Sequence, residues 1–573
     1  MDRFEDAERW PARTWLLPLI GMAAGLLFHW LTDRQYPEPV SASRQAGAAL
    51  VMVSALSFVL VAERRRIGWA AAFALGWGLV IALVGWFTAR YNVDGTIFEG
   101  SFLSAIAAVL VAAPLFQTLR DEGRRALPYA RLHNHAWTDA VIGAASLAFT
   151  GLSFLLAFLI AQLFDTIGID LLKQALREEW FGWMLAGAAF GVAAAILRER
   201  DALVATLQKL VMVVLAVLAP VLAVSLLLFL ASLPFQGLAR LWASGVPATP
   251  LLLTASAGAV LLANAVIGIK AEDRGAEDRG AEDRGAEDRS TSRIQRWSAI
   301  ALIAVVLPLA VLAGISLSQR IGQYGWTPER IWGVIAVLVA VSYGVAGWWA
   351  LALGREQGFD ERLRPLQTRL AVGLCGLTLL LALPILDFGA ISTRSQLARF
   401  EQGLPATKFD WMALARDFGP AGRRALARLA EQGPEPSRVY ARQALAAEDR
   451  YGGPIFDQLD AEAALPETTR LLPPLTWTPE LRSTVIQIGQ CGKSSRCVIL
   501  PSSATGVAVV QQSRAGSFIN VTMLVRDSTG VWRDAGVRGN PAKVDIATAR
   551  IEVRTVPRRQ LFVDDQPVGP AVE

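Results

Sequence analysis

The clearest chemistry in this 573-residue chain belongs to Cys491 and Cys497, which flank the polar string Gly492-Lys493-Ser494-Ser495-Arg496 between two strand-like segments. That spacing suits a disulfide across a hairpin, and such bonds persist in oxidising compartments. Zinc would need two more ligands, and no His follows Phe388. The third cysteine, Cys375, sits inside an apolar run. The string His133-Asn134-His135 has no acidic partner beside it and reads as part of an ordinary interfacial loop from Arg120 to Trp137. Asp165, Glu178, Glu179 and Asp387 are the acids an enzyme acting on envelope lipid or glycan would use. Tyr324 and Arg330 belong to Tyr324-Gly325-Trp326-Thr327-Pro328-Glu329-Arg330-Ile331-Trp332-Gly333. Thr327 can cap the following helix, Pro328 suits its first turn and Glu329 its positive end, so the string starts a span beside an outer cavity of the kind a transporter needs. No GxxxxGK[ST], HExxH or GxSxG motif is present. The reading leans away from an enzyme and assigns no catalytic, cofactor or metal residues.

These residues sit in a chain that is 53% hydrophobic and only 18% charged, with mean hydropathy +0.39, which is the composition of a membrane protein. Eleven apolar runs are long enough to span: 14–31, 45–62, 68–88, 101–119, 139–164, 181–197, 210–233, 249–269, 297–318, 330–354 and 370–388. With the N-terminus inside, the inner segments hold 24 Lys and Arg and the outer loops 8, so the positive-inside rule puts the N-terminus in the cytoplasm and the C-terminus in the periplasm of a bacterial inner membrane. The first span, with acids in its flank, reads as a retained anchor. The basic excess therefore reports topology, and no nucleic-acid partner is expected. Trp15, Trp30, Trp69, Trp86, Trp326 and Trp332 fall at span ends, where indoles prefer the headgroup level.

The expected architecture is an all-α polytopic bundle over residues 1–390, followed by a soluble α+β domain over 391–573, helical at 400–452 and antiparallel β at 483–565. Within the bundle, 270–296 is a cytoplasmic loop whose AEDRG repeat has no apolar side chain to bury and reads as a solvated linker. Asp165 to Trp180 has the pattern of a surface helix. At depth, Gln162, Asn264 and Tyr343 read as interhelical hydrogen-bond partners, and Pro220, Pro308 and Pro384 as kinks. In the tail, helices are expected at 409–432 and 437–451, closed by left-handed Gly433 and Gly452. Strands follow at 485–488, 497–500, 506–511, 517–526, 531–534, 546–556 and 560–563, with a turn at Asp564-Asp565-Gln566-Pro567.

The Tyr324 string, with Leu230-Ala231-Ser232-Leu233-Pro234-Phe235-Gln236-Gly237-Leu238 and Leu261-Leu262-Ala263-Asn264-Ala265-Val266, resembles the bacterial polytopic family called domain of unknown function 4153, mainly over residues 15–390. The resemblance implies an inner-membrane protein and brings no catalytic residues with it. The expected role is an envelope scaffold or sensor, with the lipid bilayer and a periplasmic or envelope protein as partners. The alternatives are a transporter or flippase for a lipid-like solute, drawing on Tyr324, Arg330 and Asn264, and a membrane enzyme drawing on Asp165 and Asp387.

Overall fold

The computed structural model describes residues 10, 12–33, 40–90, 96–123, 126–237, 247–267, 293–447, 465, 468–488, 491, 495–503, 505–513, 519–527, 532–538, 546, 551, 559–563 and 566–572. The AEDRG repeat and Gly452 lie outside the described residues, as does most of the strand expected at 546–556. The chain divides into two compact units, Met1–Arg399 with Arg416–Arg424, and Phe400–Ala415 with Ala425–Glu573.

Among the described residues, eleven helical segments of the first unit are long and apolar enough to cross a membrane. In chain order the helices are α1 (Arg13–Thr32), α2 (Ala42–Val61), α3 (Ile67–Arg90), α4 (Thr96–Glu122), α5 (Tyr129–Thr166), the short α6 (Leu171–Arg177), α7 (Glu179–Glu199), α8 (Asp201–Gln236), α9 (Ala248–Ile267), α10 (Arg293–Tyr324) and α11 (Pro328–Ala382). The last contains two spans, Pro328–Gly354 and Gly358–Ala382. A further helix, α12 (Phe388–Glu401), follows. Exposed Leu152, Leu155, Leu156, Phe158, Leu159 and Leu163 give α5 an apolar surface fit for lipid.

Helix boundaries depart from the hydropathy pattern at several places. Helix α5 begins at Tyr129, ten residues before its apolar run, so much of the expected Arg120–Trp137 loop is helical. Residues 355–369, expected as a loop, are helical too. The chain still doubles back there, because a Cβ on Gly354 would lie 2.5 Å from the Phe359 backbone, whereas residues five apart in a straight helix are separated by a rise of about 7.5 Å. Only glycine permits that approach. Finally, α11 ends at Ala382 and Leu383 is extended before Pro384, which thus terminates the last span instead of kinking it. Pro220 and Pro308 do lie inside helices.

Packing in the bundle rests on close backbone approach. Helix α1 lies along α7, and both carry glycines four residues apart, Gly21 and Gly25 on one and Gly187 and Gly191 on the other, with Gly21 set against Gly187. A Cβ on Gly21 would strike the Gly187 carbonyl, one on Gly25 the Trp183 carbonyl, and one on Gly191 the backbone of Leu17 and Pro18. Lipid tails are as apolar as side chains, so association in a bilayer depends on such tight van der Waals contact. Helices α10 and α11 meet in the same way at Gly344 and Gly347, where the Trp348 indole also donates to the Ala304 carbonyl at 2.8 Å.

The second unit opens with an aromatic cluster in which Phe409 and Trp411 sit 4.7 Å apart, and Trp411 stacks on Tyr440 at 5.8 Å. The helix expected at 409–432 is broken: Ala413–Asp417 forms a wider π turn, Gly419 has φ +58°, and α13 is Gly419–Gln432. Gly433 caps it through its N–H to Leu429 but is not left-handed. Helix α14 spans Ser437–Ala446. Helix α15 (Pro479–Gln487) occupies the place of an expected strand. The β-branched run there is overridden by its start: the Thr478 hydroxyl accepts the Leu481 N–H at 3.2 Å, and Pro479 takes the first turn. Hydrogen bonds from its own N–H and from Thr478 hold the Glu480 carboxyl below its ordinary range.

Strands β1 (Thr469–Leu471), β2 (Ser495–Ser503), β3 (Gly506–Ser513), β4 (Ile519–Arg526) and β5 (Trp532–Arg538) form one sheet in that order, while β6 (Arg559–Val563) pairs with β7 (Gln566–Val572). The sheet is mixed, not purely antiparallel, because β1 runs parallel to β2. Gln566 and Pro567, expected in a turn, begin β7. Alternation fills both faces: Cys497, Ile499, Val507 and Val509 pack with Leu481 and Val485 on one side, and Val498, Leu500, Ala508 and Val510 with Ile546 on the other.

Gly187→Leu is expected to lower the unfolding free energy of the full chain in bicelles by about 1–3 kcal/mol through overpacking. Gly182→Leu, on the same helix with no atom within 4 Å of the added Cβ, should change it by less than about 0.5 kcal/mol. Equal losses would contradict the close-approach account.

Candidate functional site

The densest polar chemistry of the bundle gathers where α1 begins and α2, α4 and α7 end. A helix leaves its last four carbonyls without partners, and lipid offers none. Here side chains from neighbouring helices supply them. Arg13 donates to the Arg198 carbonyl at 3.0 Å and the Ala62 carbonyl at 3.3 Å. Arg120 donates to the Val61 carbonyl at 2.8 Å, and Gln117 to the Leu60 carbonyl at 3.2 Å. The guanidinium of Arg120, its side chain 9% exposed, also pairs with Glu63 at 2.9 Å and Asp121 at 2.8 Å.

At the centre of this cluster is Asp139, its side chain 11% exposed, which accepts from Gln117 at 2.9 Å and pairs with Arg198 at 3.4 Å. It takes part in the site though its sequence position marks only the start of an apolar run. The available signal was Tyr129-to-Asp139 helicity, which carries Asp139 ten residues into α5. His135, expected to lack an acid, meets Asp121 at 3.1 Å. Its neighbour His133 is buried with its Nδ1 3.2 Å from the Tyr129 hydroxyl. Arg131, counted among the loop cations, pairs with Glu122 at 2.8 Å. No group of three His, Cys, Asp or Glu is placed to hold a metal among the described residues.

The remaining expected residues are scattered. Asn264 accepts from Gln367 at 2.6 Å, as an interhelical partner should, and both line a cleft with Tyr343, Leu363 and Gly347 that has room for about one water molecule. Asp165 is bound by Lys173 at 2.6 Å. Asp387 accepts the Ala390 N–H at 2.8 Å and so opens α12. No hydrogen bond or ion pair joins these two acids among the described residues. Cys491 and Cys497 form a disulfide with Cα atoms 5.7 Å apart, both buried in the sheet core.

Tyr324 and Arg330 do come together. Gly325, at φ +74°, ends α10 with its N–H on the Ile321 carbonyl. Arg330 donates to the Gly325 carbonyl at 2.6 Å and the Tyr324 carbonyl at 3.2 Å, with its guanidinium 5.5 Å from the Tyr324 ring. Helix α12 clamps the same turn: Gln396 donates to the Tyr324 and Trp326 carbonyls, Arg399 to Gln323 at 2.7 Å, and Ser395 accepts the Trp326 N–H at 3.0 Å. A Cβ on Gly325 would meet Arg399 at 2.8 Å, so the clamp requires glycine there. Pro328 and Glu329 take their expected first-turn places, but the Thr327 hydroxyl makes no capping bond.

Residues 284–429 match the family model described as Domain of unknown function (DUF4153). The match includes the Tyr324 turn and the α12 clamp. It starts far later than residue 15 and runs about forty residues past 390, and the strings at 230–238 and 261–266 lie outside it. No curated protein and no solved structure matches the chain.

Asp139→Leu leaves the Arg198 guanidinium buried without its carboxylate and should destabilise the full chain in bicelles by about 3–5 kcal/mol. Replacing Arg198 by Leu as well should recover part of that loss, since the pair is then removed together. Additive losses would show the two side chains to be independent.

Proposed function

We propose that this chain, which carries the Domain of unknown function 4153 match across its last three spans, is a bacterial inner-membrane protein that acts as an envelope scaffold or sensor. Its N-terminus lies in the cytoplasm and its second unit works in the periplasm. The observation that carries this reading is the Cys491–Cys497 disulfide. Both cysteines are under 3% exposed and pack with Ile499, Val507, Val509 and Leu524, so the bond is part of the folded core, and a fold that depends on it belongs in an oxidising compartment. The excess of Lys and Arg in the segments on the other side points independently to the same orientation.

A scaffold or sensor fits the bundle because its deep polar groups are committed to holding helices together. Asp139, Arg198, Arg13 and Arg120 bind one another or helix-end carbonyls, and Asn264 binds Gln367. The transporter reading draws on an outer cavity beside Tyr324 and Arg330 and on Asn264; Arg330 is bound to the Tyr324 and Gly325 carbonyls, and the cleft at Asn264 has space for a water rather than a lipid-like solute. The enzyme reading draws on Asp165 and Asp387, and both carboxylates already serve a neighbouring lysine or a helix start.

Reporter fusions after Arg66, Arg289 and Glu573, with thiol labelling of Cys491 and Cys497, test the orientation. The expected result is a periplasmic signal only at Glu573, with both thiols masked until reductant is added. A cytoplasmic signal at Glu573 with free thiols would overturn it. For the role itself, a chain lacking residues 400–573 should fail to restore a knockout phenotype, and full restoration would remove the second unit from the function.

A further inference from the structure

The Tyr324 turn gathers more positive charge than its own contacts neutralise. Three arginines converge there from three helices: Arg320 near the end of α10, Arg330 in the first turn of α11 and Arg399 on α12. Arg320 and Arg330 both lie over the Tyr324 ring, at 5.9 and 5.5 Å. Arg399 and Arg330 are tied to carbonyls of the same turn. Among the described residues, none of the three has a carboxylate within salt-bridge reach. Arg320 and Arg399 both repel Arg330 electrostatically, and Glu329 is the acid that offsets them. Carbonyls and one ring face hold the cations in place, yet they leave guanidinium N–H groups and net charge unmatched.

The surroundings identify the anion. The turn exposes Tyr324 and Trp326, and Ile385, Leu386 and Ile391, which flank the start of α12, are exposed as well. Amphipathic rings at span ends mark the headgroup level, and exposed aliphatic side chains there suit acyl chains. We propose that Arg320, Arg330 and Arg399, set around Tyr324, form a binding site for the phosphate of an anionic phospholipid. The phosphate accepts hydrogen bonds from guanidiniums already oriented by the turn, and its charge relieves their repulsion. The site joins α10, α11 and α12, so the bound lipid would brace α12, the helix that leads out of the bundle into the second unit. This goes beyond the scaffold reading and does not depend on which face of the membrane carries the site.

Native mass spectrometry of the full chain in neutral detergent, titrated with phosphatidylglycerol or phosphatidylcholine, tests it. The wild type should retain phosphatidylglycerol in preference to phosphatidylcholine. Arg320→Gln should weaken that retention about fivefold, taking roughly 1 kcal/mol per arginine near a lipid headgroup. Arg320 makes no hydrogen bond to the turn, so this variant keeps the clamp, and a thermal melt equal to wild type checks that it folds. Arg320→Lys should retain most binding. Arg330→Gln and Arg399→Gln should weaken it further, with lower melting temperatures because each also loses a carbonyl bond. Retention of phosphatidylglycerol unchanged in Arg320→Gln, or equal retention of both lipids by the wild type, would overturn the site. Displacement of the lipid by inorganic phosphate at comparable concentration would overturn its assignment to lipid.

Discussion

A helix leaves its last carbonyls without partners of its own, and the architecture of this protein follows from how neighbouring helices in the bundle supply donors to them. Arginines of neighbouring helices do it repeatedly. Arg13 reaches the ends of α2 and α7, and Arg120 the end of α2. At the opposite end, Arg44 reaches Trp30, Leu31 and Asp33 where α1 finishes, and Arg399 reaches Gln323 where α10 finishes. Each bond also places a cation at the negative end of a helix dipole. The same side chain therefore caps one helix and fixes the position of a second.

That arrangement explains why so few charges lie deep in the bundle and why those present are paired. Asp139 is tolerated because Arg198 and Gln117 hold it, and Arg198 in turn lies where Arg13 caps its helix. Between these ends, the spans need only close contact, which the glycines of α1, α7 and α11 provide. The result is a bundle braced at its ends and packed through its middle.

Much of this was legible in the residues. Apolar run length gave eleven spans because bilayer thickness imposes it, and the Cys491–Cys497 spacing fitted the bond that forms. Pro328 and Glu329 announced the start of α11. What could not be read came from tertiary contact. Asp139 reads as a span boundary because hydropathy sees where lipid begins and not where a helix does. The four-residue spacing of Gly21 with Gly25, and of Gly187 with Gly191, is visible in each helix, but only the fold shows that Gly21 meets Gly187 while Gly25 lies on Trp183 and Gly191 on Leu17. Val485 to Ile488 has strand-forming residues and lies in a helix because Thr478 and Pro479 nucleate one. The arginines counted for topology, Arg13 and Arg120 among them, gave no sign in the sequence that they were caps rather than loop charges.

The most direct test of the capping account is the unfolding free energy of the full chain in bicelles for Arg13→Met, Arg44→Met and Arg120→Met, set beside Arg131→Met. The first three leave helix-end carbonyls without donors and should each lose about 1–3 kcal/mol. Arg131, 45% exposed and paired with Glu122, should lose no more than about 1 kcal/mol. Losses of the same small size in all four would contradict the claim that these arginines hold the bundle together.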